Sequence, residues 1–359
     1  MKKTLFIFSN DFGELVLLRL LMYNQSFSAI ALMPEQMMKY ITLPNVEKFS
    51  YQNADDLKRY IDDIMPTQIL FFSAYILATN NLITTPEFYS LMDYLDKKKI
   101  EISTSDPFIR YYDHMDFDLQ AKDFLSNARN AFITISERLS GYRHLYPLPA
   151  SLGSTPHRSF SNHFKKKTKE HIYKGKQWTF VMAMHDYQLL QFESGLTYHK
   201  KIIPLFSSLV KDYNIMVNLV FPEELHKILE KELMDVPDIN YISYCSLDAF
   251  EDLIIQSDVM IYWNLFSAST LLCRLYNKPT VFLKQGHMET IFPGFFKYSK
   301  SFWFPENEPV ILDINDHFIP DVLKRIKAEE AITNDTALFQ PYFDLDTPSA
   351  VLNKQRVSQ

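Results

Sequence analysis

The run SLDAFEDLIIQSDVMIYWNLFSASTLLCRLYNKPTVFLK, residues 246–284, reads as helix, strand, helix, strand with a polar loop in the middle. Ser246 stands just before apolar residues at helical spacing, which makes it an N-cap. DVMIYW (258–263) is a short unbroken apolar run, the mark of a strand buried on both faces. The loop NLFS follows, then a helix over 267–277 and a strand over 278–284. Strands that alternate with helices imply βαβ crossovers and a mostly parallel sheet.

The same alternation extends outward in both directions. Toward the N-terminus it predicts strands at 240–244, 215–221 and 178–184. Between them it predicts helices over 222–233, with Pro222 in the first position, and from about Leu196 to Asp212. HDYQLLQFESG, after the 178–184 strand, reads as a loop. A final helix is predicted over 318–332, and residues from about 337 to 359 read as a loose tail or a strap. The first half repeats the plan. Strands are predicted at 4–8, 28–33, 67–74, 100–105 and 131–136, with helices after SNDFG and over 54–65, 86–99 and 116–129. From Tyr146 to Lys176 the periodicity gives way to Pro, Gly, Ser and a basic run. The organisation expected is a first α/β domain at 1–146, a linker at 147–177, a second α/β domain at 178–317, and a helix with tail at 318–359. Two Rossmann-like domains with mostly parallel sheets would then face each other across a cleft.

Composition agrees with that size. The 359 residues are 47% hydrophobic and 22% charged, enough apolar material for two cores. A net charge of −6 offers no general attraction for nucleic acid. The basic run at 165–176 reads as a solvated linker, with weak membrane-surface contact as the lesser alternative. No apolar run approaches the length of a membrane span, and the two cysteines, Cys245 and Cys273, read as buried thiols. A cytoplasmic protein is expected.

In open α/β sheets ligands bind beyond the carboxyl ends of the strands, so five loops there are the candidates. In Ser9–Glu14, Asp11 is placed to act as a general base or to cap the next helix, and Gly13 to turn the backbone. Ser103–Pro107, with Asp106 and nearby His114, either holds an acceptor or forms a proline turn. His185 and Gly195 bound the loop that opens the second half. Asn264, Ser267, Ser269 and Thr270 place small hydroxyls at a helix start, where phosphate binds well. Lys284, His287 and Glu289 follow the last strand of the run, the first two suited to a diphosphate and Glu289 to ribose or sugar hydroxyls. His287 and Glu289 lack a third metal ligand at sensible spacing, so no metal is expected. G-x-G-x-x-G, Walker, G-x-S-x-G and H-E-x-x-H motifs are absent.

Residues 246–284 resemble the donor-binding half of GT-B glycosyltransferases. The matching pieces are Ser257-Asp258-Val259, Phe266 to Thr270, and Asn277-Lys278-Pro279, and the first half looks like the acceptor domain with its loop at Asp11-Phe12-Gly13. The resemblance implies transfer of a sugar from a nucleotide-sugar co-substrate to an acceptor hydroxyl or amine, with no further cofactor and no obligatory metal. It implies Asp11 as base, supported by Asp106 and His114, and donor contacts from Ser267, Ser269, Thr270, Lys284 and His287. Two alternatives stay open: a nucleotide-sugar 2-epimerase, and a binding protein without catalysis on the same fold.

Overall fold

The computed structural model describes residues 3–22, 28–42, 45–79, 82–105, 133–146, 157–159, 176–195, 197–243, 245–265, 267–276, 278–283, 296–297, 300 and 308–332. The described residues fall into two compact units, those up to 159 and those from 176 onward. Asp106, His114, Lys284, His287, Glu289 and the helix expected at 116–129 lie outside the described residues.

The first unit is built on a parallel sheet of seven strands. They are β1 (Thr4–Ile7), β2 (Ala29–Met33), β3 (Val46–Ser50), β4 (Gln68–Phe71), β5 (Glu101–Thr104), β6 (Arg143–Tyr146) and β7 (His157–Ser159). Their order in the sheet is β3-β2-β1-β4-β5-β6-β7. β1 pairs on one side with β2 and on the other with β4, so the winding reverses at β1. After β1 comes α1 (Gly13–Met22), which buries Leu15, Val16, Leu18, Leu20 and Leu21. α2 (Ala54–Ile64) is amphipathic: Leu57 and Ile61 are buried, Asn53 caps its start, and Met65 ends it at φ 49°. α3 (Ala74–Thr79) precedes α4 (Thr85–Lys97), which opens with a reciprocal Thr84–Glu87 capping box.

Two expectations for this unit change. Of the strand expected at 131–136, the described residues 133–136 belong instead to α5, a helix over 133–139. The alternating Ile133 and Ile135 suggest period two, but burial follows Ile135, Leu139 and Tyr142, the 3.6-residue period of a helix face. His157–Ser159, within the segment read as linker, pairs with β6 as the edge strand.

The second unit repeats the plan with six parallel strands. They are β8 (Lys176–Val181), β9 (Ile215–Val220), β10 (Ile239–Ile242), β11 (Val259–Tyr262), β12 (Thr280–Leu283) and β13 (Val310–Leu312), in the order β10-β9-β8-β11-β12-β13. Here the reversal falls at β8, between β9 and β11. The helices are α6 (Met184–Glu193), α7 (His199–Lys211), α8 (Glu223–Glu232), α9 (Leu247–Gln256), α10 (Ser269–Leu275) and α11 (Phe318–Ile332). Ser246 caps α9 as expected, accepting from the Ala249 N–H. Pro222 stands as the cap before α8, one place earlier than expected. α6 occupies the stretch read as a loop. Its cap position is Ala183, which has no side-chain oxygen, so the only start signal is Asp186 in the first turn. α7 correspondingly starts at His199, not at Leu196.

Aromatic packing fills this core: Phe180 meets Phe206 edge-on at 5.0 Å, and Phe221 meets Trp263 at 5.5 Å. α11 adds Phe318, Ile319 and Val322 to the same cluster. Both cysteines are free thiols; Cys273 is buried, while Cys245 is only half-buried. No described helix is long and apolar enough to cross a membrane.

Candidate functional site

A sheet whose winding reverses opens a crevice at the carboxyl ends of the two strands flanking the reversal. In the first unit those ends carry Ser9 to Gly13, after β1, and Ser73, after β4. Glu14, in the first turn of α1 and 1% exposed, draws them together. Its carboxylate accepts from the Ser9 N–H at 2.7 Å and the Ser9 hydroxyl at 2.6 Å. The Ser73 hydroxyl donates to it as well. Burial first, and then the charge of Asp11, push the Glu14 pKa well above the usual carboxylate range, against the pull of the serines.

Asp11 itself is partly exposed at the loop, and its Oδ1 accepts from the Gly13 N–H at 2.6 Å. Burial raises its pKa and that N–H opposes the rise. Gly13 is simply the first residue of α1; among the described glycines only Gly195 has a positive φ. The turn therefore makes no demand that only glycine could meet at 13. Tyr51, buried by β3, donates its hydroxyl to the Phe8 carbonyl at 2.5 Å, and its pKa is raised by burial and by Glu14.

In the second unit the reversal brings together the loops after β8 and β11. Asp186, 2% exposed, spans them: its Oδ2 accepts from the Ala183 N–H at 3.2 Å and its Oδ1 from Asn264 Nδ2 at 3.2 Å. Burial lifts its pKa to about 7, with both donors opposing. Beside Asn264, Trp263 Nε1 donates to the Tyr198 hydroxyl at 2.5 Å, which anchors the loop to α7.

The hydroxyl cluster predicted from the sequence is present. Ser267 and Ser269, both half-buried, lie 2.9 Å apart through their Oγ atoms. Ser269 donates to the Tyr262 hydroxyl at 3.1 Å, and that hydroxyl lies 3.3 Å from Cys273 Sγ. Thr270 is 2% exposed and donates to the Ser267 carbonyl at 2.7 Å. Gly195, at φ 61°, lies just past the C-cap of α6, where a left-handed residue ends a helix. His185 is the second residue of α6.

Ser257, Asp258 and Lys278 serve the scaffold. Ser257 Oγ lies 2.6 Å from Thr179 Oγ1, and Asp258 accepts from the Gln177 N–H at 2.7 Å. Lys278 Nζ donates to the Ile255 and Ser257 carbonyls at 2.6 and 2.8 Å, closing the end of α9. Among the described residues no group of three His, Cys, Asp or Glu could hold a metal ion.

Asn264, Ser267 and Ser269 thus share one edge, and Asp11 sits at the equivalent edge of the other sheet. Sequence reasoning placed Glu14 and Asp186 in candidate loops without a role, and missed Ser73 and Tyr262 as members of these sites. The available signal was an acidic residue in the first helical turn after a strand, a position that reaches back to the loop N–H groups.

No protein-family model matches the chain, and no curated protein matches its sequence. Solved structures do match in fold. S. aureus MnaA, solved with UDP, superposes at a TM-score of 0.51 with 12% identity over 97% of this chain and 92% of that one. The UDP-N-acetylglucosamine 2-epimerase from Rickettsia bellii gives 0.50 and 13%, over 96% and 98%. The glycotransferase of kitacinnamycin gives 0.52 and 11%, over 95% and 93%. The fold is GT-B-like: α/β, with two Rossmann-like units.

Proposed function

We propose that this protein binds a nucleotide sugar at the carboxyl edge of β8 and β11 and transfers the sugar to an acceptor hydroxyl or amine. The observation that carries this reading is the Asp186–Asn264 hydrogen bond. It ties together the two loops of a sheet reversal and sets the half-buried Ser267 and Ser269 beside them. A ligand site on this fold needs loops held in place before the ligand arrives, and that bridge supplies the order. In the same reading Asp11 accepts the acceptor's proton. Its raised pKa brings it closer to neutral, where a general base works best.

The epimerase likeness supports a second reading, rearrangement of the nucleotide sugar itself. The two differ in one requirement: an epimerase turns over its nucleotide sugar with no acceptor present.

The test is a thermal-shift panel of nucleoside diphosphates and nucleotide sugars on wild type and Ser269→Ala. A ligand at 100 times its Kd should add about 2.7 kcal/mol of stability. Stabilisation by one nucleotide class, weakened in the variant, supports the site. Turnover is then assayed with and without acceptors, and Asp11→Asn should lose at least about a hundredfold in transfer. No stabilisation by any nucleotide rejects both enzymatic readings and leaves a binding protein of other specificity.

A further inference from the structure

Ser267, Ser269, Tyr262 and Cys273 form one hydrogen-bonded chain from the β11 loop into the core, and its protons can be counted. A hydroxyl has a single hydrogen to donate. The hydrogen of Ser269 is spent on the Tyr262 oxygen at 3.1 Å. The Ser267–Ser269 contact at 2.9 Å must therefore be made with the hydrogen of Ser267. Tyr262, 1% exposed, accepts from Ser269, which leaves its own hydrogen for Cys273 Sγ, 3.3 Å away. The shifts agree: Ser269 lowers the Tyr262 pKa, as a donor to its oxygen does, while Cys273 raises it. Thr270 has likewise used its hydrogen on the Ser267 carbonyl. Ser267 Oγ ends the chain on a half-buried residue and, with its hydrogen spent on Ser269, offers lone pairs only.

We propose that Tyr262 is a positioning residue that makes the Ser267–Ser269 pair a hydrogen-bond acceptor, so that the pair takes a hydroxyl of the ribose or of the sugar and not a phosphate oxygen. This rests on the nucleotide-sugar reading above and reverses the role that small hydroxyls before a helix suggest. A phosphate oxygen accepts hydrogen bonds and would meet lone pairs here; a ligand hydroxyl donates and fits. α10 has only seven residues, so its N-terminus is a weak anion site on its own.

The experiment is calorimetric titration of wild type, Ser267→Ala and Tyr262→Phe. The probes are the tightest binder among UDP, ADP, GDP and CDP, its 2′,3′-dideoxy form, its hexose conjugate, and inorganic pyrophosphate. If the ribose supplies the hydroxyl, wild type prefers the ribonucleotide to the dideoxy form by roughly 3- to 10-fold, and Ser267→Ala abolishes the preference. If the sugar supplies it, Ser267→Ala weakens only the hexose conjugate, by a similar factor. In both cases pyrophosphate binding is unchanged by Ser267→Ala. Tyr262→Phe returns a proton to Ser269, so it should shrink the hydroxyl preference; a merely structural role would weaken all probes alike. Should Tyr262→Phe fail to fold, the half-buried Ser267→Ala decides alone. Equal loss of every probe in Ser267→Ala, or no loss of any, overturns the proposal and leaves the site reading standing. Failure of wild type to bind any nucleotide overturns both.

Discussion

The two sheet reversals share a strand order and an acidic residue in the first turn of the helix that follows, yet they are secured differently. At the first, Glu14 collects three donors from Ser9 and Ser73 and lies beside a second carboxylate, Asp11. At the second, Asp186 takes a donor from its own loop and another from across the reversal. The first edge concentrates acid, which suits taking up a proton. The second spends its carboxylate on holding Asn264 still, which suits holding a ligand. One fold therefore carries two different edges, and the difference lies in side chains that the shared topology does not dictate.

The comparison can be broken first through Asp186. Its folded pKa, about 7, lies above the ordinary 3.8. The folded state therefore holds this proton more tightly than the unfolded chain, and stability falls as pH rises from about 4 through about 7. Asp186→Asn removes that slope. The variant should gain on wild type over this range by up to about 4 kcal/mol, read from urea unfolding at a series of pH values. A parallel pH dependence in both proteins would mean that Asp186 is not the group responsible.

Glu14→Ala comes next. It leaves the Ser9 N–H and two serine hydroxyls buried without their acceptor, and it should cost about 3 kcal/mol. Glu14→Gln should cost less, and less still as pH rises, because wild type must then ionise a buried acid. If Glu14→Ala is neutral, the first edge is not organised by that carboxylate.

Single donors give the smallest effects and sharpen the contrast. Ser73→Ala should cost about 1 kcal/mol and push the Glu14 pKa still higher. Asn264→Ala should cost a similar amount, move the Asp186 titration above 7, and weaken nucleotide binding, which Ser73→Ala leaves intact. Nucleotide titration of the two variants side by side checks the division of labour.

Much of the fold was legible because it depends on periodicity. Runs such as TLFI and VMIY are buried at every position, as strands covered on both faces must be. What was misread had weak or competing local signals. α5 hid behind alternating isoleucines, and α6 has an alanine at its cap position. β3, β7 and β13 are edge strands of three to five residues, β3 and β13 with partly exposed positions, and each pairs with a neighbour outside its own local segment.

The candidate site divides in the same way. Asp11, Asn264, Ser267 and Ser269 were found because polar residues at strand ends stand out in a linear sequence. Glu14 and Asp186 lie there within candidate loops with nothing to single them out. Only the fold shows them buried, because burial and hydrogen-bond partners belong to three-dimensional neighbours: Ser73 lies 59 positions from Glu14 in the numbering, and Asn264 is 78 from Asp186. By itself the sequence determined two wound α/β units and where their loops lie, since repeating apolar spacing is local. The tertiary structure alone decided which hydroxyls meet, as in the Ser267–Ser269–Tyr262 chain, because hydrogen-bond partners are set by what packs together in three dimensions.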